Sequence, residues 1–298
     1  MFKNFDELVK KLKDRPKKTI SVAVPECKEI MQALDKAYAE GIVEVALVGD
    51  KEKIEKLKEE LNLDFSIKIL LDIKDEKAAA QAAVKLIADG EAQVLMKGNL
   101  RTSTIVSALI NKEYGLRTRN IISHVFILES KPAGRLLFVT DSAVNIAPDL
   151  NKKAKILQNA INFTHELGYT EPKVAILAAI EYVNDKMPIT IEAKQLVEKA
   201  EAGEIVGAKV AGPLALDDAL SPWVCKEKEV EGVVQGDADI LLVPNIEAGN
   251  ILSKAQTFLA AAPLAGVAIG AKVPMVLNSR ADWLDNRFYA IAAACLAV

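Results

Sequence analysis

The sequence predicts an α/β protein of about two domains with a mainly parallel sheet. Short β-branched runs alternate with longer segments of helical period along the chain, which is typical of stacked βαβ units. A length of 298 residues suggests about two domains at roughly 150 residues each. Several of the short runs are apolar throughout, as expected for strands covered on both faces.

The predicted elements follow in order from this alternation. The predicted strands are Thr19–Val24, Glu44–Val48, Ile67–Leu71, Gln93–Met96, Ile121–Leu128, Arg135–Thr140, Lys173–Ala178, Asp239–Val243 and Val273–Leu277. The predicted helices are Phe5–Leu12, Lys28–Ala39, Lys51–Leu61, Glu76–Ala88, Thr104–Asn111, Asp149–Leu167, Ile191–Ala202, Ala248–Ala261 and Arg287–Ala297. The uncharged stretch from Ala255 to Ala271 predicts a buried helix followed by a buried strand, and it is too interrupted to cross a bilayer.

Two segments bear on how the elements are connected. Residues 129–135, ESKPAGR, join two predicted strands through a Pro/Gly turn, which predicts either a hairpin or a crossing between domains. The last segment, FYAIAAACLAV, ends the chain in an apolar helical pattern, so it must pack against a core. A helix that returns to the first domain satisfies that requirement.

The composition argues against several classes of protein. There are 38 Lys plus Arg against 41 Asp plus Glu, a net charge of −3, and 5% aromatic residues, which disfavour a nucleic-acid binder. Cys27, Cys225 and Cys295 lie far apart with no histidine beside them, so we expect no disulfide framework, no metal site and a cytoplasmic location. The first residues lack the apolar run of a secretory signal, and we expect neither export nor a membrane partner.

Ligands of open α/β sheets bind beyond the carboxyl ends of the strands, so the residues after each apolar run are candidates for a site. One such segment is Lys97–Thr104, in which a glycine turn with two cations and hydroxyl side chains leads into a helix. Free N–H groups at a helix start, hydroxyls and positive charge suit a phosphate. Thr102 or Ser103 could equally cap the helix, and the residues alone leave both hypotheses open.

Two further polar turns follow predicted strands. In one, Asp141 and Asn145 stand in a loop before a long helix and are candidates for binding substrate. In the other, polar side chains crowd a strand-to-helix turn, and a glycine there permits close approach of a ligand to the backbone. The residues of this second group are Asn245, Glu247, Gly249 and Asn250. Simple turn chemistry is the alternative for them.

The last predicted strand ends in Ser279 and Arg280, with the carboxylates Asp282 and Asp285 two and five residues past the arginine. Arg280 can grip a phosphate through its planar fork. Ser279 can donate a hydrogen bond to a developing oxyanion, and one of the acids can act as a base. The alternative is an N-cap at Ser279 followed by a surface salt bridge, and the residues by themselves slightly favour it.

Several well-known motifs are missing from the sequence. It has no G-x-x-x-x-G-K-[ST], no G-x-G-x-x-G after a strand and no G-x-S-x-G. Nucleoside triphosphate hydrolysis, a standard dinucleotide site and an α/β-hydrolase serine therefore lack their motifs. We interpret His124, within an apolar strand, and His165, near a helix end, as structural, and the three cysteines as packing residues.

Five strings occur in a fixed order and spacing: SHVFIL, TDSAVNIAPD, GPLALDDALS, GDADILLVPNIEAGN and GAKVPMVLNSRAD. In them the sequence resembles the phosphate acetyl/butyryl transferase family, over nearly the whole chain and most strongly its phosphate butyryltransferase branch. The resemblance implies reversible transfer of a short-chain acyl group, butyryl in the first place, from acyl-CoA to inorganic phosphate. It implies direct attack in a ternary complex, with coenzyme A thioester as substrate and no permanently bound cofactor. The apolar helix predicted at Ala248–Ala261 is compatible with a homodimer or higher homo-oligomer.

The fold implied by the resemblance is the two-domain α/β/α arrangement of isocitrate and isopropylmalate dehydrogenases, with the site in the cleft between the domains. In that fold the chain leaves the first domain, builds the second and returns. We therefore expect residues 1–127 plus 275–298 to form the first domain and residues 128–274 the second.

Carried onto this sequence, the resemblance gives Ser279 the role of stabilising the tetrahedral transition state and Arg280 that of holding phosphate. The family's catalytic aspartate takes the proton from the coenzyme A thiol, and in acetyl transferases it stands near the position of Asn286. Asp282 is the expected base here, because the butyryl branch has S-R-[AS]-D, and Asp285 is the second choice. Further phosphate-binding candidates are Lys97, Thr102, Ser103, Arg119 and Arg101.

Three other functions stay open at this point. One is a phosphate acetyltransferase. A second is a dehydrogenase on the same fold, for which the sequence lacks a metal-binding aspartate ladder. The third is a two-lobed, non-catalytic binding protein for a phosphorylated metabolite, against which the set Ser279, Arg280 and Asp282 argues.

Overall fold

Alternating helices and strands run through the whole computed structural model, which describes residues 1–279 and 282–298. The helices are α1 Phe5–Leu12, α2 Lys28–Ala39, α3 Lys51–Glu60, α4 Glu76–Ala88, α5 Thr102–Leu109, α6 Leu150–Glu166, α7 Pro188–Glu201, α8 Leu216–Leu220, α9 Pro222–Glu227, α10 Ile246–Ala260 and α11 Leu284–Leu296. The strands are β1 Lys18–Ala23, β2 Val43–Gly49, β3 Ile67–Asp72, β4 Val94–Lys97, β5 Ser123–Ser130, β6 Arg135–Thr140, β7 Lys173–Leu177, β8 Lys209–Leu214, β9 Ile240–Leu242, β10 Leu264–Ile269 and β11 Met275–Val276. A short 3-10 helix spans Lys112–Tyr114.

The chain divides into two units. The middle unit comprises residues 1–5 and 121–264, and the terminal unit comprises residues 6–120 and 265–298. The predicted boundary at residue 127 falls inside β5, which is one continuous strand paired with β6. The first residues join the middle unit because the carbonyl oxygen of Phe2 accepts a hydrogen bond from Leu136 N and its N–H donates to the Tyr169 hydroxyl.

In the terminal unit the strand order is β3-β2-β1-β4-β11-β10. Neighbouring strands are parallel except β10, which runs antiparallel to β11. Ala23 of β1 pairs with Lys97 of β4, and Val276 of β11 pairs with Met96. This register brings the carboxyl ends of three strands to one edge, as the doubly wound pattern requires.

In the middle unit the order is β5-β6-β9-β7-β8. Strands β5 and β6 are antiparallel and joined directly, so residues 129–135 form a hairpin and not a crossing between domains. The remaining neighbours are parallel. The mainly parallel α/β architecture predicted from the sequence is confirmed in both units.

The C-terminal helix α11 packs against α2, β11 and β4 of the terminal unit. Its buried side chains include Phe288, Ile291 and Leu296, and the alanines between them let the helix lie close to its neighbours. Removing apolar area from water stabilises a fold by about 25 cal/mol per Å². Burial of this helix therefore explains why the end of the chain is apolar.

Some predicted elements differ from the structure. The strand β8 was not predicted, because Gly212 and Pro213 interrupt its apolar pattern; it is an edge strand, where proline is tolerated. The stretch from Ala255 does contain a helix end and the strand β10, but α10 is not a buried helix. Three of its large apolar side chains are exposed: Ile251 at 67%, Phe258 at 64% and Leu259 at 86%.

The histidines and cysteines have mainly structural surroundings. His124 is buried in β5, its ring edge-to-face with Phe126 at 4.4 Å between centroids, and His165 contacts the Gly207 carbonyl oxygen at 2.7 Å. All three cysteines are free thiols, and Cys27 is only half-buried, so it is not a pure packing residue. Within the described ranges no helix has the length and apolarity to span a bilayer, and no three metal-binding side chains cluster.

Candidate active site

The carboxyl ends of β4 and β11 bring two loops of the terminal unit side by side. Lys97 is the last residue of β4, and Leu277 follows β11 on the adjacent strand. Gly98 lies so close to the end of β1 that a Cβ there would stand 2.0 Å from the Val24 carbonyl oxygen and 2.3 Å from that of Ala23. Only glycine fits this position. Glycine allows a close approach between backbone segments, as in tight loops that bind ligands.

Val24, next to this contact, has a backbone conformation unusual for a β-branched residue. Its φ is 55°, in the left-handed region that favours glycine and asparagine. Two backbone hydrogen bonds hold it, from its own N to Val48 O and from Asn99 N to its carbonyl oxygen, each 2.7 Å. Strained residues of this kind cluster at functional sites. We therefore include the carboxyl end of β1 in the candidate site.

The Ser279 loop, residues 277–279 and 282–283 of the described chain, is organised by the carboxylate of Asp282. Its Oδ2 accepts hydrogen bonds from Asn278 Nδ2 and from Ser279 N, both at 2.9 Å. Its backbone N donates to the Ser279 carbonyl oxygen at 3.2 Å. Asp282 is half-buried, and its Oδ1 accepts no hydrogen bond from any described residue. One carboxylate oxygen is therefore held, and the other has no hydrogen-bond partner among the described residues.

Asn278 is the buried member of this loop. Its side chain is 7% exposed, and its Oδ1 has no hydrogen-bond partner among the described residues. A buried acceptor without a partner costs about 1–3 kcal/mol. The amide is therefore not explained by the stability of the fold alone.

Asp285 has different surroundings from Asp282. It lies in the first turn of α11, its side chain is 60% exposed, and it forms an ion pair with Lys36 Nζ at 2.7 Å. The residue preceding α11 as N-cap is Trp283, which makes no side-chain cap. The alternative in which Ser279 caps this helix is therefore wrong, whereas the surface salt bridge exists and belongs to Asp285.

Arg287, one turn into α11, is buried and donates from Nη2 to the Ser279 carbonyl oxygen at 3.0 Å. Its charge is one of the smaller effects that lower the pKa of Glu29; the largest is the hydrogen bond from the Cys27 thiol, at 2.9 Å. Burial in turn raises the pKa of Cys27, so this thiol stays protonated at neutral pH. Asn286, the position near the acetyl branch's aspartate, is also buried.

The segment after β4 presents an uncapped helix. The N-cap of α5 is Arg101, and neither it nor Thr102 nor Ser103 accepts a capping hydrogen bond, so the capping alternative is wrong. The first turn carries no acid, which leaves its N–H groups and the positive end of the helix dipole available to an anion. Lys97 is buried, and its Nζ lies 3.3 Å from the Gly98 carbonyl oxygen.

Arg119, one of the arginines assigned to phosphate, has no such setting. Arg119 is exposed on the segment between the 3-10 helix and β5, beside Thr118, whose hydroxyl donates to the Gly270 carbonyl oxygen at 2.5 Å. The residue on which the phosphate assignment mainly depends, Arg280, lies outside the described residues.

In the middle unit, Asp141 folds its own loop. Its Oδ1 accepts from Ala143 N at 2.9 Å and Val144 N at 3.0 Å, and its Oδ2 accepts from the Asn145 backbone at 3.3 Å and side chain at 2.6 Å. Asn145 Nδ2 also donates to the Ile122 carbonyl oxygen at 2.9 Å. Both residues thus shape the loop, and their predicted contact with substrate stays a prediction.

The helix α10 meets this loop within the middle unit. A Cβ at Gly249 would stand 2.6 Å from Ser142 Oγ and 3.0 Å from the Asp141 carbonyl oxygen, and Asn250 Nδ2 donates to the Ser142 carbonyl oxygen at 3.3 Å. The close approach at Gly249 is therefore with other atoms of the protein, and not with a ligand. Asn245 is the N-cap of α10, accepting from Ala248 N at 3.0 Å, and Glu247 is exposed in the first turn, which is turn chemistry.

Sequence reasoning missed two residues at this place, Asn278 of the Ser279 loop and Arg287 of α11, which bonds to the loop. Asn278 directly precedes the Ser-Arg pair at the end of an apolar strand, and that position is the signal that could have found it. Arg287 is the charged residue that directly precedes the apolar run of the last helix, where a buried charge must have a partner.

Comparison with known proteins gives consistent matches over the chain. A family model described as "Phosphate acetyl/butaryl transferase" matches residues 73–295. The phosphate butyryltransferase of Clostridium beijerinckii is 40% identical over 296 residues, covering 99% of this chain and 98% of that protein. A phosphate acetyltransferase of Rhizobium meliloti is 43% identical over 256 residues, covering 86% of this chain and 81% of that protein.

Solved structures agree with the sequence matches. A branched-chain phosphotransacylase from Enterococcus faecalis V583 is 36% identical, with a TM-score of 0.82 over 94% of this chain and 98% of that chain. A 4-hydroxythreonine-4-phosphate dehydrogenase from Klebsiella pneumoniae, 13% identical, has a TM-score of 0.59 over 94% of this chain and 100% of that chain, which bears on the fold alone.

The fold and these matches together define an α/β transferase on a dehydrogenase-like fold. The chain belongs to the phosphate acetyl/butyryl transferase family, and it is an acyltransferase.

Proposed function

We propose that the protein is a phosphate butyryltransferase-type enzyme that transfers a short-chain acyl group reversibly between coenzyme A and inorganic phosphate. The names of its relatives support the reaction class. The observation that carries the proposal is the Asp282 carboxylate, which is held through Oδ2 beside Ser279 and has no described residue bonded to Oδ1. A carboxylate held in this way can accept a proton from a substrate atom and return it.

In the direction of thioester synthesis, Asp282 Oδ1 takes the proton from the coenzyme A thiol. A free thiol is only a few per cent thiolate at neutral pH, so a positioned base raises the reactive fraction in the transition state. The sulfur attacks the carbonyl carbon of the acyl phosphate; the C–S bond forms and the carbonyl electrons move to oxygen. The electrons on that oxygen then re-form the carbonyl as the C–O bond to phosphate breaks, and phosphate leaves with the electron pair of the broken bond.

In the opposite direction a phosphate oxygen attacks the thioester carbonyl, and the departing sulfur recovers the proton from Asp282. Ser279 donates a hydrogen bond to the oxyanion of the tetrahedral intermediate. Arg280, Lys97 and the uncapped start of α5, with Thr102 and Ser103, neutralise the charge of the phosphate. No acyl-enzyme forms, so both substrates are bound together.

Acyl-chain preference is the part of the proposal that depends most on pocket shape, since one methylene is worth only about 1–3 kcal/mol. We place butyryl first because of the Clostridium beijerinckii relative; acetyl is the second candidate because of the Rhizobium meliloti relative. The test is kcat/KM for acetyl-, propionyl-, butyryl- and isobutyryl-CoA, measured as thiol release with and without phosphate. The expected result is strict phosphate dependence with butyryl-CoA as best substrate.

Each other outcome of that experiment has a definite meaning. A preference for acetyl-CoA would make the enzyme a phosphate acetyltransferase. The proposal of acyl transfer to phosphate would be wrong if thiol release did not depend on phosphate. It would also be wrong if the protein bound an acyl phosphate without turnover.

We propose that the enzyme works as a cytoplasmic homodimer or higher homo-oligomer, with no permanently bound cofactor. The exposed face of α10, with Ile251, Phe258 and Leu259, supports this assembly, because three large apolar side chains on one helix face seldom stay in water. Light scattering of the wild type and of Phe258→Glu tests it, and a monomeric wild type would contradict it.

A further inference from the structure

We infer that Asn278 is a positioning residue that acts through Asp282, an inference that rests on the proposed role of Asp282 as base. Of the described residues, only two groups donate to the Asp282 carboxylate: the Asn278 side-chain amide and the Ser279 backbone, each at 2.9 Å. The backbone donor is present whatever residue stands at 279. Within the described part of the chain, Asn278 is therefore the side chain that sets the orientation of this carboxylate.

Both donors bind the same oxygen, Oδ2. A carboxylate fixed on one oxygen presents the other in a defined direction, and geometry within a fraction of an ångström governs proton transfer. The donors are also neutral, an amide and a peptide N–H, so they orient the carboxylate without pairing it with a cation. Asp285 shows the contrast, because its carboxylate is paired with the Lys36 ammonium at 2.7 Å.

The other half of the Asn278 amide supports the same inference. Its Oδ1 is buried without a partner in the described part of the chain. A small apolar side chain would leave no buried acceptor without a partner. Such a substitution would therefore favour folding stability, but it would remove the donor that catalysis needs. The inference therefore predicts that loss of the amide lowers turnover markedly and leaves the melting temperature nearly unchanged.

The first experiment compares Asn278→Ala and Asn278→Ser with wild type, using butyryl-CoA and phosphate as substrates. Alanine removes the donor, and we expect kcat to fall about 10-fold or more while KM for both substrates changes less than about twofold. Serine keeps a short donor, so its kcat should lie between those of alanine and wild type. Asn111→Ala is the matched control, since it removes an amide that caps the 3-10 helix of the same unit, and it should leave kcat unchanged.

The second experiment separates positioning from any other role. In an Asp282→Asn background, Asn278→Ala should cost less than about twofold further in kcat, because the group it positions is already gone. Equal cost in both backgrounds, or an unchanged kcat in Asn278→Ala alone, would overturn the inference. If Asp282→Asn itself retains kcat, the assignment of Asp282 as base has failed instead. Thermal unfolding of every variant identifies a loss of kcat that is only a loss of fold.

Discussion

Arg287 donates a hydrogen bond from Nη2 to the carbonyl oxygen of Ser279 over 3.0 Å, and the same oxygen accepts the backbone N–H of Asp282 at 3.2 Å. The guanidinium is buried in the first turn of α11. The final helix is thereby tied to the loop that carries the candidate catalytic residues, so the packing of α11 and the geometry of that loop depend on each other.

We expect Arg287→Met to lower kcat about 10-fold and to destabilise the fold by about 1–3 kcal/mol, because a charged hydrogen bond from a buried guanidinium is lost. Arg15→Met is the matched control: Arg15 donates to the Leu296 carbonyl oxygen at 2.7 Å, at the other end of the same helix. It should leave kcat unchanged. Steady-state kinetics and urea unfolding measure both variants, and equal kinetic losses in the two would contradict this tie.

Asp282→Asn should lower kcat by roughly 10² or more with little change in KM, the range expected when a general base is lost. Asp285→Asn removes a carboxylate of the same size only three residues away, paired with Lys36 on the surface. Since exposed ion pairs contribute about 0–1 kcal/mol, this control should keep kcat within about threefold. A larger loss in Asp285→Asn than in Asp282→Asn would reverse the assignment.

Arg280→Lys should raise KM for phosphate and lower turnover, because a point charge cannot reproduce the bidentate fork of a guanidinium. Arg117→Lys, at an exposed position of the same unit, is the control for a general change of arginine to lysine. Initial rates at varied phosphate and fixed butyryl-CoA give the comparison. An unchanged phosphate dependence in Arg280→Lys would remove this arginine from the site.

Gly98→Ala should prevent folding of the loop after β4 or destabilise the protein by more than about 3 kcal/mol, since its Cβ would stand 2.0 Å from a backbone oxygen that cannot move cheaply. Gly90→Ala is the comparison: its φ is 81°, but no atom lies within 4 Å of the added Cβ. It should cost only about 1–2 kcal/mol of left-handed strain. Equal unfolding free energies for the two variants would refute the steric account of Gly98.

Asp239→Asn should flatten the acid dependence of stability. Burial raises the pKa of Asp239, opposed in part by the hydrogen bond from Lys173 N. The folded protein therefore keeps this proton to a higher pH than the unfolded chain, whose carboxyl titrates near about 3.9. Unfolding free energy from this group falls as pH rises through that window, and the variant should lose the decline.

Asp149→Asn is the comparison with the opposite sign. The Lys152 backbone N–H lowers the pKa of Asp149, so its stabilisation is lost as pH falls through the acid range. Asparagine also caps helices, and the variant should differ from wild type mainly in losing this acid dependence. Urea unfolding between about pH 3.5 and pH 7 measures both variants. A wild-type curve unaltered by either substitution would contradict the assigned pKa directions.

Much of the local structure could be predicted because its causes are local. The run Arg135–Thr140 is a strand with the bounds predicted for it, and Gly168, with φ 101°, follows the end of α6 where a C-terminal glycine is favoured. The strand β8 was missed because Gly212 and Pro213 carry no strand signal, and only its place at a sheet edge makes them acceptable.

By itself the sequence determined the mainly parallel α/β class, the family, and the position of the Ser279 loop at the end of an apolar strand, since each depends on residues near one another or on ordered strings. The tertiary structure alone decided that the Asp282 carboxylate is turned toward Asn278 while Asp285 is paired with Lys36, that α5 begins without a cap, and that Asp141 folds its own loop. The physical reason is that hydrogen-bond geometry at the strand ends depends on the register of β4 with β11 and on the position of α11. Contacts between residues far apart in the chain set both.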